Sequence, residues 1–500
     1  MATSPSSRVG RPSVVIGAGF SGIAAALRMR ARGEDVVLLE RLPELGGRAR
    51  TFRRDDFVFD AGPTVITAPF LFEELFELFG KKLQDEVELL PVEPWYRMVF
   101  DDGTSFDYGG TVDETLANIA RFEPADQDGY LRLLEHSEKL FDKGFTELAD
   151  QPFHRLGEMV RSAPDLVRLR ADRSVWQLTA RHLKDHRLRQ AFSLQPLLVG
   201  GNPVTTTSIY SLIHFLERRW GVVFPRGGTG ALVAALGRLL DEVGVDVRLG
   251  TTVSKIDVES GRASAVVLED GERLEARRVV FAGDPSFLYR RLIAPEHRRH
   301  WTDRRLARQR HSMGLFVWYF GSSRQYPDVA HHTILFGPRY RELLADIFDR
   351  KLLADDPSLY LHRPTATDPA LAPAGHDGFY VLAPVPHLAA DIDWDEAGPR
   401  YRDLILERLE ATLLPGLRES LVTDFFVTPK YFSVELLSHL GAGFSIQPTL
   451  TQSAWFRFHN RSRDVDDLYL VGAGTHPGAG VPGVLSSAKV LEKLLDGEAA

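Results

Sequence analysis

The pattern of apolar and polar positions predicts a strand–helix–strand unit near the amino end of the chain. An apolar run at 13–16 is followed by a glycine-rich turn, a helical pattern through 32 with Gly33 after it, and a second apolar run at 36–39. A glycine directly after the last helical residue is a common helix stop. Two strands joined by a helix are expected to lie side by side in a parallel sheet.

Three glycines and one acid make this unit typical of dinucleotide binding. Gly17 allows the tight turn out of the strand, Gly19 lets the backbone approach a pyrophosphate, and Gly22 lets the helix pack closely on the sheet. The free N–H groups at the helix N-terminus attract the anion. Glu40 follows the second strand, where a carboxylate accepts ribose hydroxyls and repels a 2′-phosphate. Together these features favour a dinucleotide site over a purely structural turn.

The remaining chain alternates between helical and extended patterns. At 69–79 the apolar positions have helical spacing and predict a core-facing helix. Residues 112–224 are mainly helical and rich in charge, and 245–281 alternates as a β-meander. Between 286 and 460, apolar strands with helices between them predict a mixed sheet with helices on one side. These strands are expected at 315–320, 359–362 and 379–383, and the helices at 339–348 and 399–413.

The carboxy-terminal part has a sequence pattern similar to that of the first unit. An apolar run from 468 leads into glycine-rich backbone that contains Gly474 and Gly483, and a helical pattern follows. A helix N-terminus is again presented to a negatively charged group. We therefore expect this segment to return to the first domain and close it.

The predicted fold class is α/β with a discontinuous Rossmann-like cofactor domain. That domain is expected from residues 1–80, 225–290 and 461–500. A mixed-sheet substrate domain is expected from 81–111 and 291–460, and a helical lid that faces a membrane from 112–224.

Composition excludes several classes of function. A chain of 500 residues is too long for one ordinary core, and its formal net charge of −8 argues against a nucleic-acid partner. Without any cysteine, the chain has no disulfide, thiolate metal site or cysteine nucleophile. The polar residues 1–10 lack the apolar core of a secretory signal, and no apolar run reaches the ~18 residues of a spanning helix. We expect a cytoplasmic protein whose membrane contact is peripheral.

A second glycine turn indicates which dinucleotide is bound. Gly46, Gly47 and Arg48 follow the acid, and Gly62, Pro63 and Thr64 come soon after. This continuation resembles the flavoprotein family of amine oxidases, protoporphyrinogen oxidases and carotenoid desaturases. The resemblance implies FAD and not NAD.

Further motifs resemble one branch of that family, the bacterial-type, lycopene-forming phytoene desaturases. They run in order along nearly the whole chain, at 59–67, 198–203, 224–232, 330–333, 336–344, 381–388, 448–456 and 472–489. The resemblance implies FAD, an apolar polyene drawn from a membrane surface, and stepwise insertion of double bonds towards neurosporene or lycopene. Two positions depart from relatives: Ala282, Gly283 and Asp284 stand where Asn-Ala-Asp is frequent, and Glu158 stands where Asp is usual.

The resemblance also implies the site residues. The FAD contacts are expected from glycines of the two turns and the carboxy-terminal loop and from neighbouring side chains, namely Gly17, Gly19, Gly22, Glu40, Gly47, Arg48, Gly62, Pro63, Thr64, Val253, Asp284, Gly474, Gly483 and Val484. Glu158, helped by Arg161, is the predicted proton acceptor, although an i,i+3 surface pair on a helix explains the same two residues equally well. His476 is a further candidate for cofactor contact.

No metal site is predicted. His331 and His332 are adjacent, and neighbours on a strand face opposite ways; no acidic third ligand lies at a usable spacing.

The implied chemistry is removal of a hydride to flavin N5 and of a proton from the neighbouring carbon. The substrate offers no heteroatom, so a dry tunnel has to position it. No second complete βαβ unit with an acidic end is present for NAD(P)H, so a quinone or oxygen is the expected electron acceptor. Carotenoid isomerisation, ketolation, or desaturation of a C30 or hydroxylated carotenoid stay open as alternatives, as does a non-catalytic carotenoid or flavin carrier.

Overall fold

The computed structural model describes residues 10–154 and 156–499, and the side chains at 156, 158 and 499 are outside the description. The strands of this part are β1 (Ser13–Ile16), β2 (Val36–Leu39), β3 (Thr51–Arg54), β4 (Phe57–Asp60), β5 (Leu89–Pro91), β6 (Tyr96–Val99), β7 (Ser105–Tyr108), β8 (Val223–Pro225), β9 (Asp246–Arg248), β10 (Val253–Glu259), β11 (Arg262–Leu268), β12 (Arg273–Glu275), β13 (Arg278–Phe281), β14 (Gly314–Ser322), β15 (His332–Leu335), β16 (Leu359–His362), β17 (Asp377–Val385), β18 (Leu421–Val427) and β19 (Leu468–Leu470).

The α-helices of the same part are α1 (Phe20–Ala31), α2 (Phe70–Glu77), α3 (Val112–Ala120), α4 (Asp126–Phe141), α5 (Leu156–Arg168), α6 (Val175–His182), α7 (His186–Ala191), α8 (Leu212–Trp220), α9 (Thr229–Glu242), α10 (Pro285–Phe287), α11 (Asp303–Leu306), α12 (Tyr340–Ala345), α13 (Trp394–Thr412), α14 (Leu417–Ser420), α15 (Pro429–Val434) and α16 (Val481–Ala499).

The predicted strand–helix–strand unit is present as β1, α1 and β2. The two strands are parallel, with Ser13 opposite Val36 and Ile16 opposite Leu39. A Cβ atom added at Gly22 would lie 1.8 Å from the carbonyl oxygen of Gly17, so only glycine permits the helix to approach the turn this closely. The glycine spacing therefore determines the geometry of the turn.

The first sheet has five parallel strands in the order β19-β13-β1-β2-β9. Its strands come from three separated parts of the chain, and α1 packs against both α9 and α16. The predicted discontinuous Rossmann-like domain is thereby confirmed. One detail differs from the prediction, because the segment 245–281, expected as a single β-meander, is divided between two sheets. β9 and β13 join the parallel sheet, and only β10, β11 and β12 form an antiparallel sheet. Alternation along a strand does not reveal its partner.

The second large sheet has seven strands in the order β18-β14-β17-β16-β15-β6-β7. Most neighbours are antiparallel, but β15 and β6 are parallel, which confirms the predicted mixed sheet. One face of β14 buries Phe316, Trp318 and Phe320 in a core that includes Trp394 and Tyr401 of α13. Because side chains alternate along a strand, the other face is directed towards the rest of the molecule.

Helices α3 to α8 form the helical part, which lies along the chain between β7 of the mixed sheet and β9 of the parallel sheet. Helix α4 packs against α8. Helix α2 buries Leu71, Phe72, Leu75 and Phe76, which confirms the predicted core-facing helix. Within residues 10–154 and 156–499, none of the helices has both the length and the apolar character needed to cross a membrane.

Candidate cofactor and substrate site

A cavity of about 590 Å³ connects the parallel sheet, the mixed sheet and the helical part. Its lining includes Gly17 and Gly19 at one end, Leu382 and Pro384 of β17 at the mixed sheet, and Ile213 of α8. The site is therefore shared by all three parts of the fold.

The glycine turns lie together at the carboxyl end of the parallel sheet. Gly19 is the N-cap of α1 and receives no side-chain cap, so the first N–H groups of the helix are not capped by a side chain. Gly46 pairs with Gly19, and the N–H of Gly46 donates to the carbonyl of Ala18 at 2.8 Å. Gly47 also lines the cavity. Such a cradle of backbone at a helix N-terminus suits a pyrophosphate.

Glu40 is held by the backbone beside this cradle. Its carboxylate accepts hydrogen bonds from the N–H groups of Ala18 at 2.7 Å and Leu42 at 2.9 Å. The side chain lines the cavity, although the residue is only 8% exposed. Each carboxylate oxygen can accept more than one hydrogen bond, so the group is fixed in place and still able to accept from ribose hydroxyls.

Arg48 and Gly62 form the next part of the lining. A Cβ atom at Gly62 would lie 2.3 Å from the carbonyl oxygen of Arg48, which requires glycine there. The Arg48 guanidinium donates to Ser438 Oγ at 2.8 Å, while its buried Nε has no hydrogen-bond partner within residues 10–154 and 156–499. Burial lowers the pKa of Arg48, and nearby Asp284 opposes that effect.

Asp284 and the carboxy-terminal loop complete the cofactor end. One carboxylate oxygen of Asp284 accepts from the N–H groups of Ser286 and Phe287, and the other is buried without a hydrogen-bond partner in the described part of the chain. Further residues of the predicted set also line the cavity: Pro63, Thr64, Val253, Gly474, Gly483 and Val484. The cavity lining thus brings together every predicted cofactor residue except Gly22, which shapes the turn from behind.

His476 lies in the same loop and lines the cavity. Its Nε2 is 2.8 Å from the carbonyl oxygen of Leu148, and its Nδ1 is buried and has no partner among the residues that the structure describes. Burial lowers the pKa of His476 to about 4, so the ring is neutral at physiological pH.

These features fit a dinucleotide cofactor with a flavin ring. The uncapped helix N-terminus matches a pyrophosphate and Glu40 matches a ribose. Two buried polar atoms, Arg48 Nε and Asp284 Oδ2, have no hydrogen-bond partner among the described residues and can be satisfied by a polar ligand.

Many of the other residues that line the cavity are apolar. The free face of the mixed sheet supplies alternate residues of β14 and β17, and the helical part faces it. These lining residues are Leu315, Val317, Leu382, Pro384, Leu194, Leu197, Leu198, Ile213 and Leu216. Such a lining suits an apolar ligand.

A cluster of hydroxyl groups also lines the cavity. Thr64 Oγ1 is 3.0 Å from Tyr360 OH and 2.8 Å from Tyr380 OH, and Tyr380 OH donates to the carbonyl of Gly62. Tyr360 OH is also 2.7 Å from His332 Nδ1. Burial raises the pKa of both tyrosines, so both hydroxyls stay neutral.

Three histidines meet behind this cluster, and the expectation that His331 and His332 face opposite ways is wrong. Strand β15 begins at His332, so the preceding residue is free to turn, and the two rings are 4.4 Å apart. His331 Nε2 is 3.0 Å from His362 Nε2, and its Nδ1 is 2.6 Å from Thr367 Oγ1. Candidate ligand nitrogens of the three rings lie within 4.8 Å of one another. Burial lowers the pKa of all three rings, and the absence of a metal stays a prediction.

The predicted catalytic pair lies on α5. The side chain of Glu158 falls outside the described residues, and Arg161 is exposed. Met159 and Leu166 of the same helix line the cavity. The catalytic role of Glu158 and Arg161 stays a prediction.

Glu217 of α8 is a site residue that sequence reasoning missed. It lines the cavity, it is 0% exposed, and its Oε1 accepts a hydrogen bond from Tyr96 OH at 2.9 Å. Its Oε2 has no hydrogen-bond partner in the part of the chain that the structure describes. A signal was available, because positions 213, 216 and 217 share one helical face on which the third residue is charged.

Comparisons with known proteins identify the family of the chain. The family model described as flavin containing amine oxidoreductase matches residues 20–490. The chain is 49% identical to the phytoene desaturase (lycopene-forming) of Pseudescherichia vulneris, over 97% of this chain and 99% of that protein. It is 44% identical to the phytoene desaturase (neurosporene-forming) of Cereibacter sphaeroides, over 98% of this chain and 95% of that protein.

Solved structures share the fold at lower identity. An oxidoreductase from Methanosarcina mazei has a TM-score of 0.66 at 17% identity, with 96% of this chain and 100% of that chain covered. Putrescine oxidase bound to putrescine has a TM-score of 0.65 at 16% identity, with 97% and 99% covered. The chain belongs to the flavin-containing amine oxidoreductase family, in the branch that contains the bacterial phytoene desaturases.

Proposed function

We propose that the chain is an FAD-dependent phytoene desaturase that introduces double bonds stepwise towards neurosporene or lycopene. The observation that carries this proposal is one cavity that joins a dinucleotide cradle to a long apolar wall. The desaturase relatives at 44–49% identity support the same substrate class.

FAD is the cofactor, and we propose that the predicted contact residues hold it. The turn at Gly17 and Gly19 receives the pyrophosphate, and Glu40 receives the adenosine ribose. The lining from Arg48 to Thr64 and the loop from Gly474 to Val484 face the flavin. When bound, FAD accepts the hydride that leaves the substrate.

The protein's own contribution is placement and exclusion of water. A polyene has no group to hydrogen-bond, so only the shape of the apolar wall sets which carbons lie beside the cofactor. The hydroxyls of Thr64, Tyr360 and Tyr380 are neutral and already hydrogen-bonded to protein groups. They therefore require no charged partner in the tunnel.

The three parts of the chain divide this work. We propose that residues 1–80, 225–290 and 461–500 bind the cofactor, 81–111 and 291–460 form the wall of the substrate tunnel, and 112–224 cover it. The placement of β6 and β7 in the mixed sheet and of β19 in the parallel sheet supports these boundaries.

Two residue roles and the electron acceptor extend the proposal. Glu158, helped by Arg161, is a candidate proton acceptor on the helix that also supplies Met159 and Leu166 to the cavity. A quinone or oxygen removes the electrons. Stoichiometric reduction of NAD during turnover by the purified protein would contradict this acceptor assignment.

Replacing Glu40 with alanine is expected to weaken FAD binding by about 100-fold, because two hydrogen bonds to a charged group are lost, each worth about 1.5 kcal/mol. The measurement is the dissociation constant of FAD from fluorescence titration of the apoprotein. Glu44→Ala is the matched control, since Glu44 is an exposed acid of the same loop. An E40A protein that purifies fully yellow contradicts the ribose assignment.

The membrane surface is the proposed source of the polyene, and α5 is the proposed docking element. Val160 and Val167 of this helix are 64% and 62% exposed, and the exposed cations Arg161 and Arg168 lie on it. Helix α5 packs against the turn Ala454–Phe456.

We propose that the docking surface adjoins the mouth of the cavity. Leu450 is 43% exposed and lines the cavity, and Phe456 is exposed beside α5. Apolar side chains next to cations suit the interface of an anionic bilayer. A polyene leaving the bilayer at this surface enters the apolar lining without crossing water.

Combined Val160→Asp and Val167→Asp substitution is expected to weaken vesicle binding by more than about tenfold, because two apolar contacts are replaced by charges that an anionic surface repels. Flotation with phosphatidylglycerol-containing vesicles measures it. Val422→Asp is the control, since Val422 is similarly exposed on β18 of the mixed sheet. Equal flotation of both proteins excludes α5 as the docking element.

The function itself is tested with purified protein, FAD and phytoene-containing liposomes. New long-wavelength absorption bands and desaturated products on chromatography are expected. A small spectral shift at constant hydrogen count indicates isomerisation instead. Oxygenated products indicate ketolation, conversion only of a C30 or hydroxylated carotenoid indicates that substrate, and unchanged phytoene favours a carrier.

A further inference from the structure

We propose that Glu217 is the catalytic base, whose carboxylate accepts the proton that the substrate loses in each desaturation. This inference deepens the proposed function and rests on it.

Glu217 is placed for this role by the helix that carries it. It follows Leu216 on α8, and together with Ile213 these residues line the cavity. Tyr96 OH of β6 donates to Glu217 Oε1 at 2.9 Å and fixes the carboxyl group. The other oxygen, Oε2, is buried and has no hydrogen-bond partner among the described residues, so one acceptor remains free on a residue that lines the cavity.

The other carboxyl groups that line the cavity in the described part of the chain have other partners or lie at other parts of the cavity. Glu40 accepts from backbone at the nucleotide cradle. Asp284 caps the helical turn after β13 with one oxygen, and its other oxygen lies on a residue of the cofactor end of the cavity. Glu435 lies 3.5 Å from Arg41 at the exposed edge. Glu217 is the one with a hydrogen-bond partner on the mixed sheet, whose face forms the apolar wall.

Basicity distinguishes Glu217 from the histidine of the cavity. His476 also has an unpartnered buried nitrogen, but burial lowers its pKa to about 4 and makes it a weak base. Burial raises the pKa of Glu217 to about 8. A base works best when its pKa is close to the working pH.

The surroundings of Glu217 contain little else that titrates near neutral pH. The titratable and charged groups around it are three tyrosines of β6, β7 and α4 and two neighbours on α8: Tyr96, Tyr108, Tyr130, His214 and Arg218. Burial raises the pKa of the tyrosines and lowers that of His214 to about 4, so these groups stay neutral. Arg218 is engaged by Tyr130 OH and the carbonyl of Gly110, both at 2.8 Å.

The step balances with the groups already named. One carbon loses a hydride, with its bonding pair, to FAD. The proton on the neighbouring carbon moves to Glu217 Oε2, and the electrons of that C–H bond become the new π bond. The substrate loses two electrons and two hydrogens, FAD gains two electrons, and the carboxylate becomes a carboxylic acid.

The first test is the pH profile of phytoene desaturation. Because the base acts as the carboxylate, kcat/KM of the wild type is expected to rise with pH and to level off above about 8. Glu217→Gln is expected to lower kcat/KM by at least about 100-fold and to remove this rise. Glu138→Gln, which changes an exposed acid of α4, is expected to keep the wild-type profile.

A second variant separates a chemical role from a structural one. The Tyr96 hydrogen bond lowers the pKa of Glu217 and so opposes burial. Tyr96→Phe removes that hydrogen bond while keeping the ring, and is expected to move the rise of the profile to higher pH. Tyr96 is thus a positioning residue, and a merely structural loss would lower the rate without moving the midpoint.

A spectroscopic titration provides a readout without turnover. In the oxidised protein without substrate, the infrared carbonyl band of a buried carboxylic acid is expected to disappear between about pH 6 and about pH 10. The band of Glu217 is expected to be absent in Glu217→Gln and to titrate at higher pH in Tyr96→Phe, while the band of the buried Asp60 carboxyl, whose pKa burial raises to about 7, is expected in all three proteins. The latter variant tests the proposal even where the former fails to fold.

The outcomes distinguish this inference from the proposed function. A wild type that gives no desaturated product defeats the proposed function, whatever the infrared titration shows. An active wild type whose Glu217→Gln variant retains its rate and pH profile overturns the role of Glu217. If Glu158→Gln loses the pH-dependent rise while Glu217→Gln keeps it, the role of Glu217 is likewise overturned. The proton acceptor is then Glu158 of α5.

Discussion

Gly22→Ala is expected to yield a protein that no longer retains FAD, with affinity lowered by at least about 100-fold. The added Cβ atom would lie 1.8 Å from the Gly17 carbonyl oxygen and 3.1 Å from Ala282 Cβ. Since the first contact is with backbone, a side-chain rotation does not relieve it, and α1 or the turn has to move. Either movement displaces the helix N-terminus that faces the pyrophosphate. The ratio of flavin to protein absorbance after purification measures the loss, and a fall in Tm is expected with it.

Two further glycine variants separate a damaged fold from a blocked cradle. At Gly19 the nearest atom to an added Cβ, within 4 Å, is the Gly46 carbonyl oxygen at 3.8 Å, which is an ordinary contact. Gly19→Ala is therefore expected to fold with the Tm of the wild-type apoprotein. It is nevertheless expected to bind FAD more weakly than the wild type, because the added methyl group stands where the backbone approaches the pyrophosphate. Gly497→Ala meets nothing within 4 Å near the end of α16 and is expected to bind FAD normally. Full FAD affinity in Gly19→Ala contradicts the placement of the pyrophosphate.

Leu382→Asp is expected to abolish measurable desaturation, by at least about 100-fold in kcat/KM, while FAD stays bound. Leu382 lies on the face of β17 that lines the cavity, between Tyr380 and Pro384. A carboxylate there has to be desolvated by the polyene, and the effective penalty for burying an unpaired ion is several kcal/mol. Initial rates of product formation, together with the flavin spectrum, measure both effects.

A volume-conserving substitution at the same position is the control. Leu382→Met keeps the apolar character and nearly the volume, so a change of less than about tenfold is expected. Equal activity of the aspartate and methionine variants contradicts the assignment of this sheet face as the substrate wall. Loss of FAD in the aspartate variant shows that Leu382 lies too close to the flavin site for the substrate wall to be tested at this position.

Much of the cofactor end was predictable from sequence. Gly17, Gly19, Gly22 and Glu40 act within one strand–helix–strand unit, where spacing along the chain determines spacing in space. The periodicity of the apolar runs likewise predicted the parallel and mixed sheets. It did not predict that β9 and β13 join the parallel sheet, because the partner of a strand is a non-local property.

The chemistry of the substrate end was less predictable. The sequence directed attention to the adjacent pair His331 and His332 as residues on opposite faces, but the strand begins one residue later than that argument requires. His362, from the neighbouring strand β16, completes the cluster through pairing that no local pattern reveals.

The amino-acid sequence by itself determined that this chain builds a dinucleotide cradle, carries no thiol chemistry and follows the motifs of one flavoprotein branch, because glycine spacing, composition and motif order are local properties of the chain. Only the tertiary structure decided which side chains meet at the cavity. Tyr96 and Glu217 are 121 residues apart and share one hydrogen bond, and that contact depends on a helix packing against a sheet. Burial then gives Glu217 a raised pKa that the residue type alone does not have.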